Sequence, residues 1–235
     1  MIDLSKRSYQ QEILDGTDIP FTDIALNMRE LNYINTVLGG HNITIAGLKK
    51  LLPKADVQES ITICEIGCGG GDNLNAINTW CIKNKIRVNF IGIDIKQACI
   101  EFAAKQYQSL PCNWITAPYQ AVNFEDKKPD VIFSSLFCHH FKEDEIISML
   151  QWMTQNSKKG FFINDLQRHW LAYYSIKILT CLFSRSYLVK NDAPLSVARG
   201  FLLADWKHYL KNTGIKNYAI FWKWAFRYLI VCTND

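Results

Sequence analysis

Several features that would assign this chain to a simple class are missing from its sequence. Only 6 of its 235 residues are proline, and no stretch rich in proline, glycine or serine divides it into domains. It contains neither an internal repeat nor a low-complexity tract. The longest apolar segment, WLAYYSIKILTCLF, is shorter than the roughly 18 residues that a membrane span needs and contains Lys177. We therefore expect one soluble domain with a substantial core.

Charge and cysteine are not concentrated anywhere in the chain. The formal net charge is +4 and the basic residues are scattered, which gives little support for a nucleic-acid partner or a membrane surface. The polar start, MIDLSKRSYQQEILD, lacks the apolar core of a signal peptide, so we expect a cytoplasmic protein without stable membrane insertion. The eight cysteines, Cys181 among them, stand singly and mostly in apolar runs, which predicts reduced, buried thiols.

Short β-branched runs alternate with helical patterns from residue 61 onward. The predicted strands are 61–66, 88–93, 112–116, 130–135 and 160–164. Apolar residues recur at helical spacing between them, and this alternation predicts an α/β fold with a mostly parallel sheet covered by helices on both faces. The last segment, KNYAIFWKWAFRYLIVC, reads as two strands of an antiparallel hairpin.

Two segments lie outside this alternation. Residues 1–60 form a predicted N-terminal helical arm, and the domain proper is predicted to span 61–235. Within it, residues 166–203 insert an aromatic-rich helix and a predicted loop that contains Pro194 after the fifth strand. Both segments are candidates for a lid over a site on the sheet edge, and both can equally be helices that thicken the core.

The stretch ITICEIGCGGGDNL, residues 61–74, places four glycines directly after the first strand, the last three of them consecutive. Ligands of open parallel sheets bind at this edge. Gly67 and Gly69 fit a dinucleotide fingerprint, but Asp72 stands at its third glycine, where a carboxylate would repel a pyrophosphate. The spacing E-x-G-x-G-x-G, from Glu65 to Gly71, instead resembles the first motif of class I S-adenosylmethionine-dependent methyltransferases.

The resemblance implies a Rossmann-like fold with a seven-stranded sheet and S-adenosylmethionine as cofactor, which leaves as S-adenosylhomocysteine. Asp94 ends the second strand in GIDI, where an acid can accept both ribose hydroxyls. The cofactor-binding residues that the resemblance implies are Glu65, Gly67, Cys68, Gly69, Gly71, Asp94, Ile95 and Ser134. The acid that often follows the third strand in this family is absent, since Ala117 stands near that place.

The segment LFCHHF follows the fourth strand, where the methyl group faces its acceptor in this family. A histidine of near-neutral pKa can remove the proton of a hydroxyl acceptor, so His139 and His140 are the candidate bases. Asp165 is a candidate to orient one of them. Asn164 and Asp165 invite comparison with the magnesium site of catechol-type methyltransferases, but serines stand after the fourth strand where that site has its further acid. We therefore predict a metal-independent enzyme with no metal ligands.

The insertion supplies the candidate substrate residues. Trp170, Tyr173 and Tyr174 begin its helix and can wall an apolar pocket, although each can also belong to a helix core. Arg199 can hold an anionic or phenolate oxygen, or it can pair with Asp192.

Three longer segments extend the resemblance over nearly the whole chain. EILD…LNYINTVLGGH, INDLQRHWLAYY and LVKNDAPLSVARGF are similar to a bacterial small-molecule subgroup linked to polyketide and aromatic natural-product pathways. The resemblance implies methylation of a small, apolar phenolic or quinol acceptor, with O-methylation favoured. C-methylation of an activated aromatic ring and a degenerate cofactor-binding partner protein remain alternatives. A DNA amino-methyltransferase is disfavoured because no N-P-P-Y-type motif follows the fourth strand, and no basic stripe supports an RNA substrate. The oligomeric state is left open.

Overall fold

A seven-stranded sheet organises the chain. The structure, a computed structural model, describes residues 3–52, 60–125 and 127–234. Its strands are β1 Ile61–Ile66, β2 Val88–Asp94, β3 Cys112–Thr116, β4 Val131–Ser135, β5 Gly160–Leu166, β6 Tyr218–Lys223 and β7 Arg227–Thr233. Their order in the sheet is β3-β2-β1-β4-β5-β7-β6. β1 to β5 are parallel, while β7 lies antiparallel between β5 and β6. The predicted class I fold with its C-terminal hairpin is thus confirmed.

The helices cover both faces of this sheet. They are α1 Phe21–Val37, α2 Gly40–Leu51, α3 Asp72–Lys83, α4 Gln97–Gln106, α5 Glu143–Asn156, α6 Trp170–Phe183, α7 Tyr187–Arg199 and α8 Leu203–Thr213. One core cluster contains Ile132 and Met149 on one face of the sheet, and another contains Phe133 and Leu74 on the other. β4 is buried on both faces of the sheet. Its sequence, VIFSS, therefore contains no charged residue and does not alternate between core-facing and solvent-facing side chains.

The N-terminal helices pack against this sheet. Residues 53–59 of the predicted N-terminal arm lie outside the described part of the chain, but its helices α1 and α2 lie within it. A Cβ added to Gly47 of α2 would lie 2.5 Å from the ring of Phe162 on β5, so the helix packs closely on the sheet. α1 also contacts α4 and α7. Whether the arm moves as a lid stays a prediction.

The insertion differs from its prediction. The predicted loop around Pro194 is wrong, because Pro194 lies inside helix α7. A proline inside a helix costs about 3 kcal/mol, and the burial of Leu188, Val189 and Leu195 on the same helix offsets that cost. Tertiary packing here outweighs a local helix-breaking signal.

Helix α6 behaves in the opposite way. Thr180 is its one buried residue among those described, and its large apolar side chains face outward. The prediction that Cys181 is buried is therefore wrong, and all eight cysteines are free thiols. In the described ranges no helix has both the length and the apolar character that crossing a membrane requires.

Candidate active site

The strand order reverses between β1 and β4, and the glycine loop follows β1 at this point. Gly67, Gly69 and Gly71 have φ of +66°, +49° and +77°, values that side chains with a Cβ rarely adopt. The loop is tied to the neighbouring strand because the backbone N–H of Cys68 donates to the carbonyl of Ile93 at 3.0 Å. The three glycines therefore form the tight turn that leads from β1 into α3.

Aromatic side chains press directly against this loop. A Cβ at Gly67 would lie 2.1 Å from the ring of Phe137, and one at Gly71 would lie 2.6 Å from the ring of Trp114. Phe137 reaches this place because Leu136, directly after β4, has a positive φ of 53° that redirects the chain. Glycine is therefore required at Gly67 and Gly71 both by the positive φ angle and by the lack of room for a Cβ.

Glu65 is a buried carboxylate beneath the loop, and it is incompletely satisfied. Its Oε1 accepts a hydrogen bond from Asn73 Nδ2 at 3.1 Å. Its Oε2 is buried without a hydrogen-bond partner among the described residues. Burial, reinforced by the charge of Asp72, raises the pKa of Glu65 well above its ordinary value. An unpaired carboxylate oxygen in this position favours a cationic or hydrogen-bond-donating ligand.

Asp94 ends β2 on the other side of the loop. Its Oδ2 accepts from the backbone N–H of Gly69 at 2.9 Å, and its Oδ1 accepts from that of Lys96 at 2.8 Å. Burial raises its pKa despite these hydrogen bonds. Each of its oxygens retains a second lone pair, so Asp94 can order the loop and still accept hydrogen bonds from a ligand.

The remaining predicted cofactor residues lie in different surroundings. Ile95 is exposed beyond Asp94 at the same edge. Cys68 is buried, and burial raises the pKa of its thiol well above the ordinary value. Ser134 is fully buried, with its Oγ 3.4 Å from the sulfur of Cys138. The loop, Asp94 and Ile95 thus share one edge, while the hydroxyl of Ser134 packs into the core.

His139 lies between two carboxylates. Its Nδ1 is 2.8 Å from Asp165 Oδ1, and its Nε2 is 3.5 Å from Glu12 Oε1. Burial disfavours the charged imidazolium, but Asp165 and Glu12 outweigh burial and raise the pKa of His139 to about 9. In this arrangement His139 is a buried cation at neutral pH and has no free lone pair for a proton.

His140 is the more accessible of the pair, with a side chain 22% exposed. Its Nδ1 is 3.1 Å from Asp15 Oδ1, and its Nε2 is 3.8 Å from Glu12 Oε2. Burial opposes ionisation of Asp15, but His140 and Arg199 lower its pKa to about 2. Nδ1 of His140 therefore lies close to Asp15, while its Nε2 faces Glu12 at a longer distance.

Sequence reasoning missed the N-terminal segment, residues 8–16, that completes this cluster. It crosses the carboxyl edge of the sheet: Ser8 N–H donates to Ala198 O at 3.0 Å, and Lys96 Nζ donates to Gly16 O at 2.6 Å. Its only sequence signal is a pair of acids three residues apart, Glu12 and Asp15, in an otherwise uncharged stretch. Their partners at 139, 140, 196 and 199 are too far along the chain for any local pattern to connect them.

Asp192 and Arg199 hold this segment in place. The two oxygens of Asp192 accept from the backbone N–H groups of Ile13 and Leu14, each at 2.9 Å. Arg199 is buried, and its Nε donates to the carbonyl of His139 at 3.0 Å. The predicted pairing of Arg199 with Asp192 is wrong, because Arg199 instead approaches Asp15 at 3.4 Å. Its role in holding an acceptor stays a prediction.

The predicted substrate aromatics do not meet the histidine pair. Trp170 and Tyr174 are exposed on the outer side of α6, and the ring of Tyr173 contacts that of Tyr174 at 5.2 Å. Among the contacts of the described residues, none joins these three side chains to His139, His140 or the glycine loop. Their contact with an acceptor stays a prediction.

Two groupings of side chains are relevant to metal binding. The amide of Asn164 donates to Gly40 O and Thr44 Oγ1, both at 3.2 Å, so it is committed to the core. Ligand atoms of Glu12, His139 and His140 lie within 4.8 Å of one another, a spacing that a transition metal can use. However, the guanidinium of Arg199 adjoins this group and opposes an added cation.

Comparison with known proteins agrees with this geometry. Residues 63–160 match the sequence model of a family described as methyltransferase domain. The structure of the plantazolicin methyltransferase BpumL with S-adenosylhomocysteine superimposes with a TM-score of 0.67 at 15% identity, covering 92% of this chain and 96% of that one. Magnesium protoporphyrin IX methyltransferase from Synechocystis PCC 6803, with bound S-adenosylmethionine, gives 0.56 at 11% identity, covering 87% and 84%. No curated protein sequence matches the chain. Residues 63–160 therefore match a methyltransferase-domain family, and the chain has the fold of these two methyltransferases.

Proposed function

We propose that the chain transfers the methyl group of S-adenosylmethionine to a hydroxyl of a small, apolar acceptor of phenolic or quinol type. The observation that carries the cofactor is the buried, unpartnered Oε2 of Glu65 beneath the glycine loop. The bound cofactor supplies a methyl group on a positively charged sulfur, and its amino acid end carries an ammonium group. A cation bound here would lower the pKa of Glu65, which burial and the nearby Asp72 and Asp94 raise, and would pair with its carboxylate.

The small-molecule acceptor is supported by the similar structures. One was crystallised with a triazolic desmethyl-plantazolicin analogue; it is 16% identical, covers 93% of this chain and 87% of its own, and has a TM-score of 0.62. The other named neighbour acts on magnesium protoporphyrin IX. The phenolic or quinol preference follows from the resemblance of the outer segments to the natural-product subgroup. The cytoplasmic location and the absence of a nucleic-acid partner stay predictions.

We assign His140 as the proton acceptor and His139 as a positioning residue. The methyl group moves from sulfur to the acceptor oxygen, S-adenosylhomocysteine is released, and the hydroxyl proton passes to Nε2 of His140. Asp15 holds the ring of His140 through Nδ1. The cationic His139, paired with Asp165, anchors the loop that carries both histidines, since Asp165 also accepts from Phe137 N–H at 3.2 Å.

Calorimetric titration with S-adenosylhomocysteine tests the cofactor assignment. We expect binding by the native chain and a loss of about tenfold to a hundredfold in Glu65→Gln and Asp94→Ala, because each removes a charged hydrogen-bonding group. Glu101→Gln, an exposed acid on α4, is the matched control and should bind like the native chain. Absence of binding by the native chain would overturn the proposed function, and native-like binding by both site variants would overturn the residue assignments.

Turnover with a panel of phenols and quinols tests the proton acceptor. His140→Ala should lower kcat by about a hundredfold, the usual contribution of a general base, without weakening S-adenosylhomocysteine binding. If the double variant His139→Ala/His140→Ala kept turnover within a few-fold of the native rate, neither histidine would be the base.

A further inference from the structure

Helix α6 presents its apolar residues to solvent rather than to the core. Trp170, Tyr174, Ile178 and Leu182 recur every four residues and therefore form one stripe along the outer side. Ile178 is 58% exposed and Leu182 is 69% exposed. The opposite side carries the buried Thr180. A surface helix of an ordinary monomer turns its apolar stripe toward the core, whereas α6 turns its apolar stripe toward solvent.

The apolar surface continues beyond α6 onto the hairpin. The ring of His169, which precedes α6, stacks on the ring of Trp170 at 5.8 Å and on that of Phe226 at 4.8 Å. Phe226 in turn adjoins Trp224, with ring centroids 6.3 Å apart, and Trp224 is exposed between β6 and β7. The start of α6 and the tip of the hairpin therefore lie side by side.

α1 connects the two ends of this surface. Near the end of α6, the carboxylate of Glu30 on α1 accepts from Ser184 Oγ and from the backbone N–H of Arg185, the latter at 2.8 Å. Seven residues further along α1, Val37 lines an open cavity of about 360 Å³ together with Trp224. Tyr33 lies between these two points along α1 and is exposed. We call the outer side chains of α6 with Tyr33, Val37 and Trp224 the α6 face.

The charged side chains that α6 and the hairpin contribute to this face have one sign. Residues 166–191 and 206–234, which contain α6 and the whole hairpin, include no aspartate or glutamate. Lys177, Arg185 and Lys190 are exposed along or just beyond α6, and Lys223 stands between Trp222 and Trp224 at the hairpin. Two acids of α1 lie near the end of α6: Glu30 is occupied by its hydrogen bonds to residues 184–186, and Asp23 by its hydrogen bond with Tyr187. The α6 face is therefore apolar, rich in tryptophan and tyrosine, and bordered by cations.

We propose that the α6 face docks on the surface of an anionic phospholipid membrane. Apolar side chains of such a helix enter the boundary between headgroups and acyl chains, tryptophan and tyrosine rings suit that boundary, and lysine and arginine bind the acidic headgroups. A second copy of this chain is a poorer occupant. A two-fold dimer through this face would place Lys177 and its cationic neighbours against their own copies, with no acid in residues 166–191 to compensate.

This inference concerns how the protein is placed and does not depend on the methyltransferase assignment. Docking would also let the membrane supply an apolar acceptor. The histidine cluster lies near the docked helix, because β5 carries Asp165 of that cluster and leads within a few residues to the start of α6. The chain would then dock by one helix face without spanning the bilayer.

Sedimentation of the full chain with lipid vesicles tests the proposal. We expect binding to vesicles of phosphatidylcholine with phosphatidylserine, weaker binding to phosphatidylcholine alone, and loss of binding at high salt. Ile178→Glu/Leu182→Glu should reduce the bound fraction by about tenfold or more, because two apolar contacts are replaced by charges that anionic lipid repels. Lys177→Glu should weaken the preference for phosphatidylserine, because Arg185, Lys190 and Lys223 remain.

Ile82→Glu is the matched control for this experiment. Ile82 on α3 is 69% exposed, like Leu182, but lies outside the α6 face. It should bind vesicles like the native chain, and all variants should keep the native melting temperature, since every replaced side chain is exposed. Failure of the native chain to bind, or equal binding by the double variant, would overturn the proposal. Sedimentation equilibrium showing a native dimer that Ile178→Glu/Leu182→Glu dissociates would also overturn it and would make the α6 face a subunit interface.

Discussion

Gly67 and Gly39 adopt similar backbone conformations in different surroundings. Their φ angles are +66° and +75°, but a Cβ would lie 2.1 Å from the Phe137 ring at Gly67 and within 4 Å of no heavy atom at Gly39. Alanine at Gly39 should therefore cost only the backbone strain of about 1–2 kcal/mol. Alanine at Gly67 should cost that amount plus about 1–3 kcal/mol for displacing the ring.

Thermal unfolding of the two variants separates these contributions. For a chain of this size, each kcal/mol shifts the melting temperature by about 2–4 °C, so Gly67→Ala should melt several degrees below Gly39→Ala. Equal melting temperatures would mean that Phe137 gives way freely and that the loop is not sterically restricted. S-adenosylhomocysteine binding can be compared in the same two variants. Gly39→Ala introduces backbone strain alone, whereas Gly67→Ala also displaces the ring of Phe137.

Single residues differ in how far local sequence predicts them. The spacing from Glu65 to Gly71 and the acid at the end of β2 are short-range patterns, and the structure places them at one sheet edge. Glu12 has no such pattern, because its position depends on backbone hydrogen bonds to Asp192, nearly the whole chain away. A sequence motif can be recognised when its residues share one turn, but not when a coil segment brings them together from a distance.

At the scale of elements, α7 anchors the N-terminal segment, and Asp192 binds two of its backbone N–H groups. The carboxylate of Asp192 accepts hydrogen bonds from the backbone N–H groups of Ile13 and Leu14. Hydrogen bonds to a charged group contribute about 1.5–3 kcal/mol each to stability. Asp192→Ala should therefore raise amide exchange in residues 8–16 by at least about tenfold while β4 and β5 keep their protection.

Asp130→Ala provides the comparison for this exchange measurement. Asp130 likewise accepts a backbone N–H, that of Thr62 at 2.8 Å, but lies at the start of β4, away from the N-terminal segment. Faster exchange of residues 8–16 in both variants would indicate general destabilisation and contradict a specific anchoring role. Slower exchange of these residues with S-adenosylhomocysteine in the native chain would support the predicted lid.

The insertion shows why element prediction succeeded in the sheet and failed around Pro194. β-branched runs and helical stripes in 61–164 agree with the strands and helices found, because burial on the sheet faces imposes their periodicity. In α7 the local signal of Pro194 and the tertiary packing of Leu188 and Val189 oppose each other, and packing decides. The apolar pattern of α6 predicts a helix. It does not specify whether the apolar side faces the core or the solvent, because that depends on which other elements pack against the helix.

At the scale of the whole molecule, the histidine cluster and the acids beneath the glycine loop act in opposite directions on stability. The pKa of His139 is raised from 6.5 to about 9, so its charged state stabilises the fold fully below pH 6.5. The lowered pKa values of Asp165, Glu12 and Asp15 add stability that is lost as the pH falls below their ordinary values near 4. Glu65, with its raised pKa, instead destabilises the ligand-free fold as the pH rises above 4.5.

The contribution of His139 should therefore fade as the pH rises from 6.5 to about 9. Melting temperatures of the native chain and of His139→Gln, measured across this range, should converge, because the native chain loses an ion pair that the variant never had. His208→Gln removes an exposed histidine 2.7 Å from Glu143, and its difference from the native chain should stay small throughout. A His139→Gln difference that remained constant from pH 6 to pH 9 would show that the imidazole is not held as a cation, and His139 would then compete with His140 for the role of base.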